Sequence, residues 1–128
     1  NLYMDAICQT KFTLAKTNPS ADKAIYIYAF AAVDTDMTSP ITNLTTGSLV
    51  TIQSDNNLRL ANVIPYSQSA TGPTLWSSPF SIAQAFGGIL PAYWGLAILN
   101  NSGAAMTETV APVIQFRGVY ATANTADL

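Results

Sequence analysis

The side chains that most often carry out nucleophilic or metal chemistry are nearly missing from this sequence. Its 128 residues include one cysteine, Cys8, and no histidine. Ser-His-Asp and Cys-His systems need an imidazole to take the proton of the nucleophile. Zinc and transition-metal sites are built mainly from thiolates and imidazoles. We therefore predict that the protein is not an enzyme, has no metal site of this kind and requires no cofactor.

Carboxylates are the remaining groups with catalytic or metal-binding chemistry. Asp34 and Asp36 are two residues apart, so they share one side of an extended backbone. Asp-x-Asp can begin a calcium loop, but the remaining ligands of the EF-hand pattern are absent, since the next residues are Met37, Thr38, Ser39 and Pro40. The seven acids are isolated or lie in predicted loops, so two of them facing across a cleft for glycoside hydrolysis is not indicated. We interpret the pair as solvated loop acids.

Aromatic side chains offer a different chemistry, the stacking of a sugar ring. The residues that could form such a platform are Tyr26, Tyr28, Trp76, Tyr93 and Trp94. Tyr and Trp also fill cores and subunit interfaces, where their polar tips find hydrogen-bond partners. We favour this second interpretation, with the glycan platform as its alternative.

The charge content bears on the kind of partner. Charged residues make up 9% of the chain and apolar residues 49%, whereas an average domain is about a quarter charged. The net charge is −2 and the five cations are scattered singly, so phosphate neutralisation by a cluster is not possible and no nucleic-acid partner is predicted. Such a surface suits a protein covered by its own copies or by a larger assembly; a secreted all-β domain with a Ser/Thr surface is the alternative.

The elements that must position these residues are predicted to be strands. Residues 2–14 alternate, with Cys8 on the apolar face as a small buried hydrophobe. Residues 23–33 are mostly apolar at both odd and even positions, which is typical of a central strand covered on two faces. Further short runs, separated by turn residues, bring the total to six to eight strands. We predict one all-β domain over residues 1–128, an antiparallel β-sandwich or jelly roll with little or no helix, and we interpret it as the ordered or processed part of a longer chain.

The segment Ser78 to Gly103 has no charged residue. Its apolar run is shorter than the roughly 20 residues that span a bilayer, and no membrane partner is predicted. We expect one helical turn that Gly87 and Gly88 stop, a corner at Pro91, a buried strand and a turn at Gly103.

The order of these pieces resembles a known family. The pieces are YIYAFAAVDTD, NLRLANVI, SSPFSIAQAFGGILPAYWGLAILNNSGAAM and FRGVYAT. Together they cover most of the chain and resemble small structural proteins of tailed bacteriophages; AAVDTDMTS lacks the glycine-rich turn of that family. The resemblance implies a jelly-roll protein of the virion that decorates or cements the capsid surface, with the major capsid protein or other virion proteins as partners.

Two functions from different classes follow. The first is this structural role, as a homo-oligomer for which the resemblance favours a trimer. The second is a fibre or knob module that recognises a host-surface glycan or protein through Trp76 and the 67–73 loop. The residues predicted to form an interface are Ile25, Tyr26, Ile27, Tyr28 and Trp76. The pattern of residues 23–33 does not decide which face of that strand points inward.

Overall fold

The first strand shows how the alternating pattern becomes a sheet. Ala6, Cys8, Thr10 and Phe12 are all buried, and the residues between them are half-buried or exposed. The computed structural model describes residues 3–15, 23–32, 58–66, 72–107 and 110–121. Within these ranges the elements are β1 (Asp5–Thr13), β2 (Lys23–Ala32), β3 (Arg59–Tyr66), β4 (Thr74–Trp76), β5 (Phe80–Ser81), α1 (Ile82–Ala85), β6 (Tyr93–Asn101) and β7 (Val113–Val119).

The first sheet is built around β1. Strand β7 runs antiparallel along one edge of β1 over seven residue pairs, from Asp5 with Val119 to Lys11 with Val113. The other edge is shared by two short strands, β4 and β5. Between them Ser77 continues the ladder: its N–H donates to the Thr10 carbonyl at 2.9 Å, and its Oγ accepts from the Thr10 N–H at 2.9 Å.

The second sheet has the order β3-β2-β6, so β2 is its central strand as the sequence predicts. Ile25, Ile27 and Ala29 are fully buried, whereas Tyr26 and Tyr28 on the opposite face are half-buried. The isoleucine face is therefore the inward one. The prediction of Ile25 and Ile27 as interface residues is wrong, because both side chains are already used to fill the core of their own chain.

The two sheets pack face to face, which confirms the predicted all-β sandwich. The largest fully buried side chains include Phe12 of β1, Leu14 just after it, Ile25 and Ile27 of β2, and Ile82 of α1. Among the described residues the only helix is the four-residue α1. The predicted strand after Pro91 is β6, but it is half-buried to exposed along its length rather than buried, because it forms an edge of its sheet.

The bend between α1 and β6 has the predicted turn chemistry. The Gly88 N–H donates to the Ala83 carbonyl at 2.8 Å and the Gly87 N–H to the Gln84 carbonyl at 3.3 Å, the two bonds of a Schellman motif. Gly87 and Gly88 have φ values of 75° and 96°, a region that glycine enters without steric cost. The turn after β6 likewise has a positive φ at residue 103.

Several sequence predictions fall outside the described residues. They are the Asp34 and Asp36 pair, most of the 67–73 loop, and those of the predicted short runs and turns that fall within residues 16–22 and 33–57.

Candidate functional site

The five predicted aromatic residues are not all in one cluster. Trp76 lies in β4 of the first sheet and is 59% exposed. The Nζ atom of Lys11, its neighbour on β1, is 5.1 Å from the indole centroid. Tyr26 and Tyr28 belong to the outer face of the second sheet, and Tyr93, which lies opposite Ala32 of β2, shares that face. Trp94 points the other way and packs against the core from β6. The five residues therefore do not form one platform for a sugar.

A different apolar surface follows the last strand. Ile114 and Phe116 pair with Thr10 and Cys8 of β1, and directly opposite residues in an antiparallel ladder point to the same face. That face is the core side of the sheet, yet Ile114 is 48% exposed and Phe116 is 64% exposed. The Trp94 ring meets the Phe116 ring edge to face at 5.4 Å. The core-side residues of β7 thus line an open margin of the sandwich instead of being enclosed by it.

At Gly118, which has no side chain, the ring of Tyr3 covers the strand and continues this surface. A Cβ atom added at Gly118 would lie 2.3 Å from the Tyr3 ring, so the ring covers the glycine itself. Tyr3 in turn contacts Tyr120, with ring centroids 6.4 Å apart, and both tyrosines are about half exposed or more. We call Tyr3, Ile114, Phe116 and Tyr120 the β7 row.

The second apolar surface is the outer face of the three-stranded sheet. Tyr26 pairs with Val63 on one side and Leu99 on the other, and Tyr28 pairs with Leu60. Leu60 and Leu99 are each at least half exposed. We call these five residues the tyrosine face. It retains Tyr26 and Tyr28 from the predicted interface and adds three aliphatic residues from the flanking strands.

Both surfaces lack charge. None of the residues in the β7 row or the tyrosine face is acidic or basic. Arg117, the only charged residue of β7, alternates with the row and therefore points to the other face of the sheet. The cores of protein interfaces are depleted in charge and enriched in Tyr, Trp and Phe. Both surfaces have that composition.

The chemistry-bearing groups near the core have structural roles. Burial raises the pKa of Cys8 to about 11, and the charge of Asp5 adds to the effect, so the thiol stays protonated in the ordinary pH range. This confirms the prediction of a buried hydrophobe at this position, where the side chain is 0% exposed. Asp5 accepts hydrogen bonds from Ser81 Oγ at 2.6 Å and from the Ala83 N–H at 2.8 Å, and these bonds tie β1 to the start of α1.

One open groove crosses the β1–β7 pair. It has a volume of about 520 Å³, and its lining includes Ile7, Gln9, Pro79, Gln115 and Arg117. Besides the amides of Gln9 and Gln115 and the Arg117 guanidinium, the lining includes Cys8, whose thiol stays protonated, so no carboxylate or thiolate is placed to act on a ligand. In the described part of the chain, no three of His, Cys, Asp and Glu lie close enough together to hold a metal ion.

Comparison with protein-family models, with curated proteins and with solved structures finds no match to this chain. The resemblance to bacteriophage structural proteins therefore stays a prediction. Within the described ranges, no helix has the length and apolar character needed to cross a bilayer. The two apolar surfaces are the features of the described chain that bear on its function.

The sequence contained a signal for the β7 row that was missed. In VIQFRGVY the even positions hold Ile114, Phe116, Gly118 and Tyr120, and Gln115 and Arg117 lie between them. That alternation defines one apolar face with a gap at the glycine. Nothing in the local sequence indicates that Tyr3, more than a hundred residues away, fills the gap.

Proposed function

We propose that this chain is a structural protein of a bacteriophage virion, which decorates or cements the capsid shell through protein–protein contacts. The observation that carries the proposal is the pair of charge-free apolar surfaces on different sides of one small sandwich. Exposed apolar patches of this kind mark sites of protein interaction. The assignment to a bacteriophage virion is based on the order of the sequence motifs. We propose the jelly-roll topology on the same basis.

A decorating protein contacts the shell, and a second surface lets it contact neighbouring copies as well. Two separate surfaces allow both contacts at the same time. We assign the tyrosine face to the major capsid protein because it is a broad face, with three strands contributing side chains. The chain would then lie on the capsid surface as a closed homo-oligomer, for which the family resemblance favours three copies.

The tyrosine face offers enough apolar surface for a specific contact. Leu60 is 53% exposed, Leu99 is 50% exposed and Val63 is 37% exposed. Burying each Å² of apolar surface stabilises a contact by roughly 25 cal/mol before the entropic cost of association. Placing an ammonium group in the middle of this face would require its desolvation without a partner.

Cryo-electron microscopy of virions that contain the chain tests its location. We expect density for the sandwich on the head lattice, with the tyrosine face turned toward the shell. Density at the tip of a tail fibre would contradict the decoration role and support the alternative, a module that binds a host-surface glycan or protein.

Binding of the purified chain to shells that lack it tests the surface. Leu99→Lys should weaken binding roughly tenfold, equivalent to about 1.4 kcal/mol. Ile89→Lys is the matched control, because Ile89 is 76% exposed and belongs to neither surface. Equal binding by both variants and the unchanged chain would contradict the assignment of the tyrosine face.

A further inference from the structure

The outer edge of β7 is the feature of the first sheet that calls for a partner. Strand β7 pairs with β1, and no other described strand pairs with it. Its residues from Val113 to Arg117 and Val119 are exposed. An edge strand presents a row of backbone N–H and C=O groups that can pair with another chain. Natural edges are blunted by Lys, Pro, bulges or short length, and a seven-residue strand with one Arg has little of this protection.

The sequence of β7 fits antiparallel pairing with itself. Full overlap of the seven residues places a two-fold axis at Phe116, so that Phe116 lies opposite Phe116 of the second copy. Val113 then lies opposite Val119, Ile114 opposite Gly118, and Gln115 opposite Arg117. The single charge of the strand faces a neutral amide and never its own copy, so like-charge repulsion across the ladder is avoided. Ile114 comes beside Tyr3, which covers Gly118 in the other copy.

The exposed apolar area at this margin is comparable to the smallest area that a specific dimer buries. The side chains at this margin that are at least 42% exposed include Tyr3, Met4, Ile114, Phe116, Val119 and Tyr120. With aromatic side chains at about 200 Å² and aliphatic ones slightly smaller, these six expose on the order of 600 Å². A specific interface buries about 600 to 1,000 Å² per partner. Backbone pairing adds its own hydrogen bonds to this area.

We propose that β7 pairs edge to edge with β7 of a second copy, antiparallel about a two-fold axis at Phe116, and joins the two first sheets into one. This contact deepens the proposed function and rests on it for its purpose, because contacts between copies would strengthen a coat of identical proteins. The two-fold geometry differs from the three-fold association that the family resemblance implies.

Sedimentation equilibrium of the chain at tens of micromolar tests the contact. We expect a dimer for the unchanged chain and a monomer for Phe116→Lys, because two ammonium groups would meet at the axis. Ile89→Lys is the matched control: it also places a lysine at an exposed apolar position, but Ile89 belongs to neither apolar surface, so the dimer should stay intact. Thermal unfolding of each variant shows that it is folded.

Disulfide cross-linking tests the position of the two-fold axis in a second experiment that does not depend on Phe116→Lys. Residues directly opposite in an antiparallel pair have Cα atoms about 4.5 to 5.5 Å apart, within the range that a disulfide spans. Phe116→Cys should therefore form a covalent dimer under mild oxidation. The variant is made with Cys8→Ala, since Cys8 lies opposite Phe116 within the same chain. Leu99→Cys in the same background is the control and should cross-link much more slowly.

The experiments distinguish a failure of β7 pairing from a failure of the proposed function. A monomer, a trimer, an oligomer that Phe116→Lys leaves intact, or equal cross-linking at both positions would overturn β7 pairing. The decoration role has its own test in shell binding and in the location of density on the virion. A monomer that still binds shells would thus remove the contact between copies and leave the structural role in place.

Discussion

At the scale of single residues, Asp5 shows a charged group used to hold two elements together. Its carboxylate accepts from Ser81 Oγ, from the Ala83 N–H and from its neighbour, the Ala6 N–H at 2.7 Å. Burial alone would raise the pKa of Asp5, but these hydrogen bonds outweigh burial and hold the pKa below its usual 3.8. Ser81 also caps α1 by accepting from the Gln84 N–H. One carboxylate therefore organises the whole start of the helical turn.

We predict that Asp5→Asn lowers the free energy of unfolding by about 1 to 2 kcal/mol at neutral pH, because charge-assisted hydrogen bonds are lost. The lowered pKa means that the unfolded chain takes up a proton before the folded chain does. The stabilisation is therefore complete above about pH 4 and is lost as the pH falls through the folded pKa. Urea unfolding between about pH 2 and pH 6 measures this, and Asp5→Asn should flatten the acid decline. Parallel pH profiles for both proteins would contradict the prediction.

At the scale of elements, β6 and β2 fit closely because one residue of β6 is a glycine. Gly95 lies opposite Phe30, and a Cβ atom at Gly95 would be 2.4 Å from the Phe30 ring. Phe30 is only 4% exposed, so its ring has little room to move. Gly118 on β7 has a contact of similar distance to Tyr3, but Tyr3 is 49% exposed.

We predict that Gly95→Ala lowers the free energy of unfolding by about 1 to 3 kcal/mol through overpacking against Phe30. Phe30→Leu in the same chain should recover part of this loss, with a coupling energy of at least about 0.5 kcal/mol. Gly118→Ala is the matched control and should cost less, since Tyr3 can move into solvent. The measurement is urea unfolding in dilute solution. Equal costs for the two glycines, or the lack of coupling with Phe30, would contradict this explanation.

At the scale of the whole molecule, the low charge content sets the salt dependence expected of the proposed contacts. Charged residues make up 9% of the chain, and both candidate surfaces lack them. Contacts made by such surfaces depend on apolar burial, which salt does not screen, rather than on ion pairs, which it does.

We predict that self-association changes less than about threefold in affinity between about 0.05 and 0.5 M NaCl. Sulfate at equal ionic strength should strengthen it, because this ion favours the burial of apolar surface. Sedimentation equilibrium across the salt series is the measurement, with Phe116→Lys as the control that should stay monomeric throughout. A tenfold weakening in NaCl would show that ion pairs dominate the contact.

Much of the local structure followed from the sequence because it depends on neighbouring residues. Alternation in β1 predicted which side chains are buried, and Cys8 lies where that pattern placed it. The glycine pair at 87 and 88 predicted the end of the helical turn, since positive φ values suit glycine. The all-β class followed from short runs and turn residues, which are also local signals.

Only the tertiary structure decided which face of β2 points inward. Apolar residues at both parities of that strand leave the pattern without a preference, so Ile25 and Ile27 were predicted as interface residues although they fill the core. The position of β6 and β7 at sheet edges could not be predicted from the sequence either, because strand order arises from pairing between distant segments. The exposed Phe116 follows from that order: its face points toward the core, but an edge strand extends beyond the cover of the opposite sheet. The sequence by itself determined the strands and turns, and the packing of the sheets determined which apolar residues stay exposed at the surface.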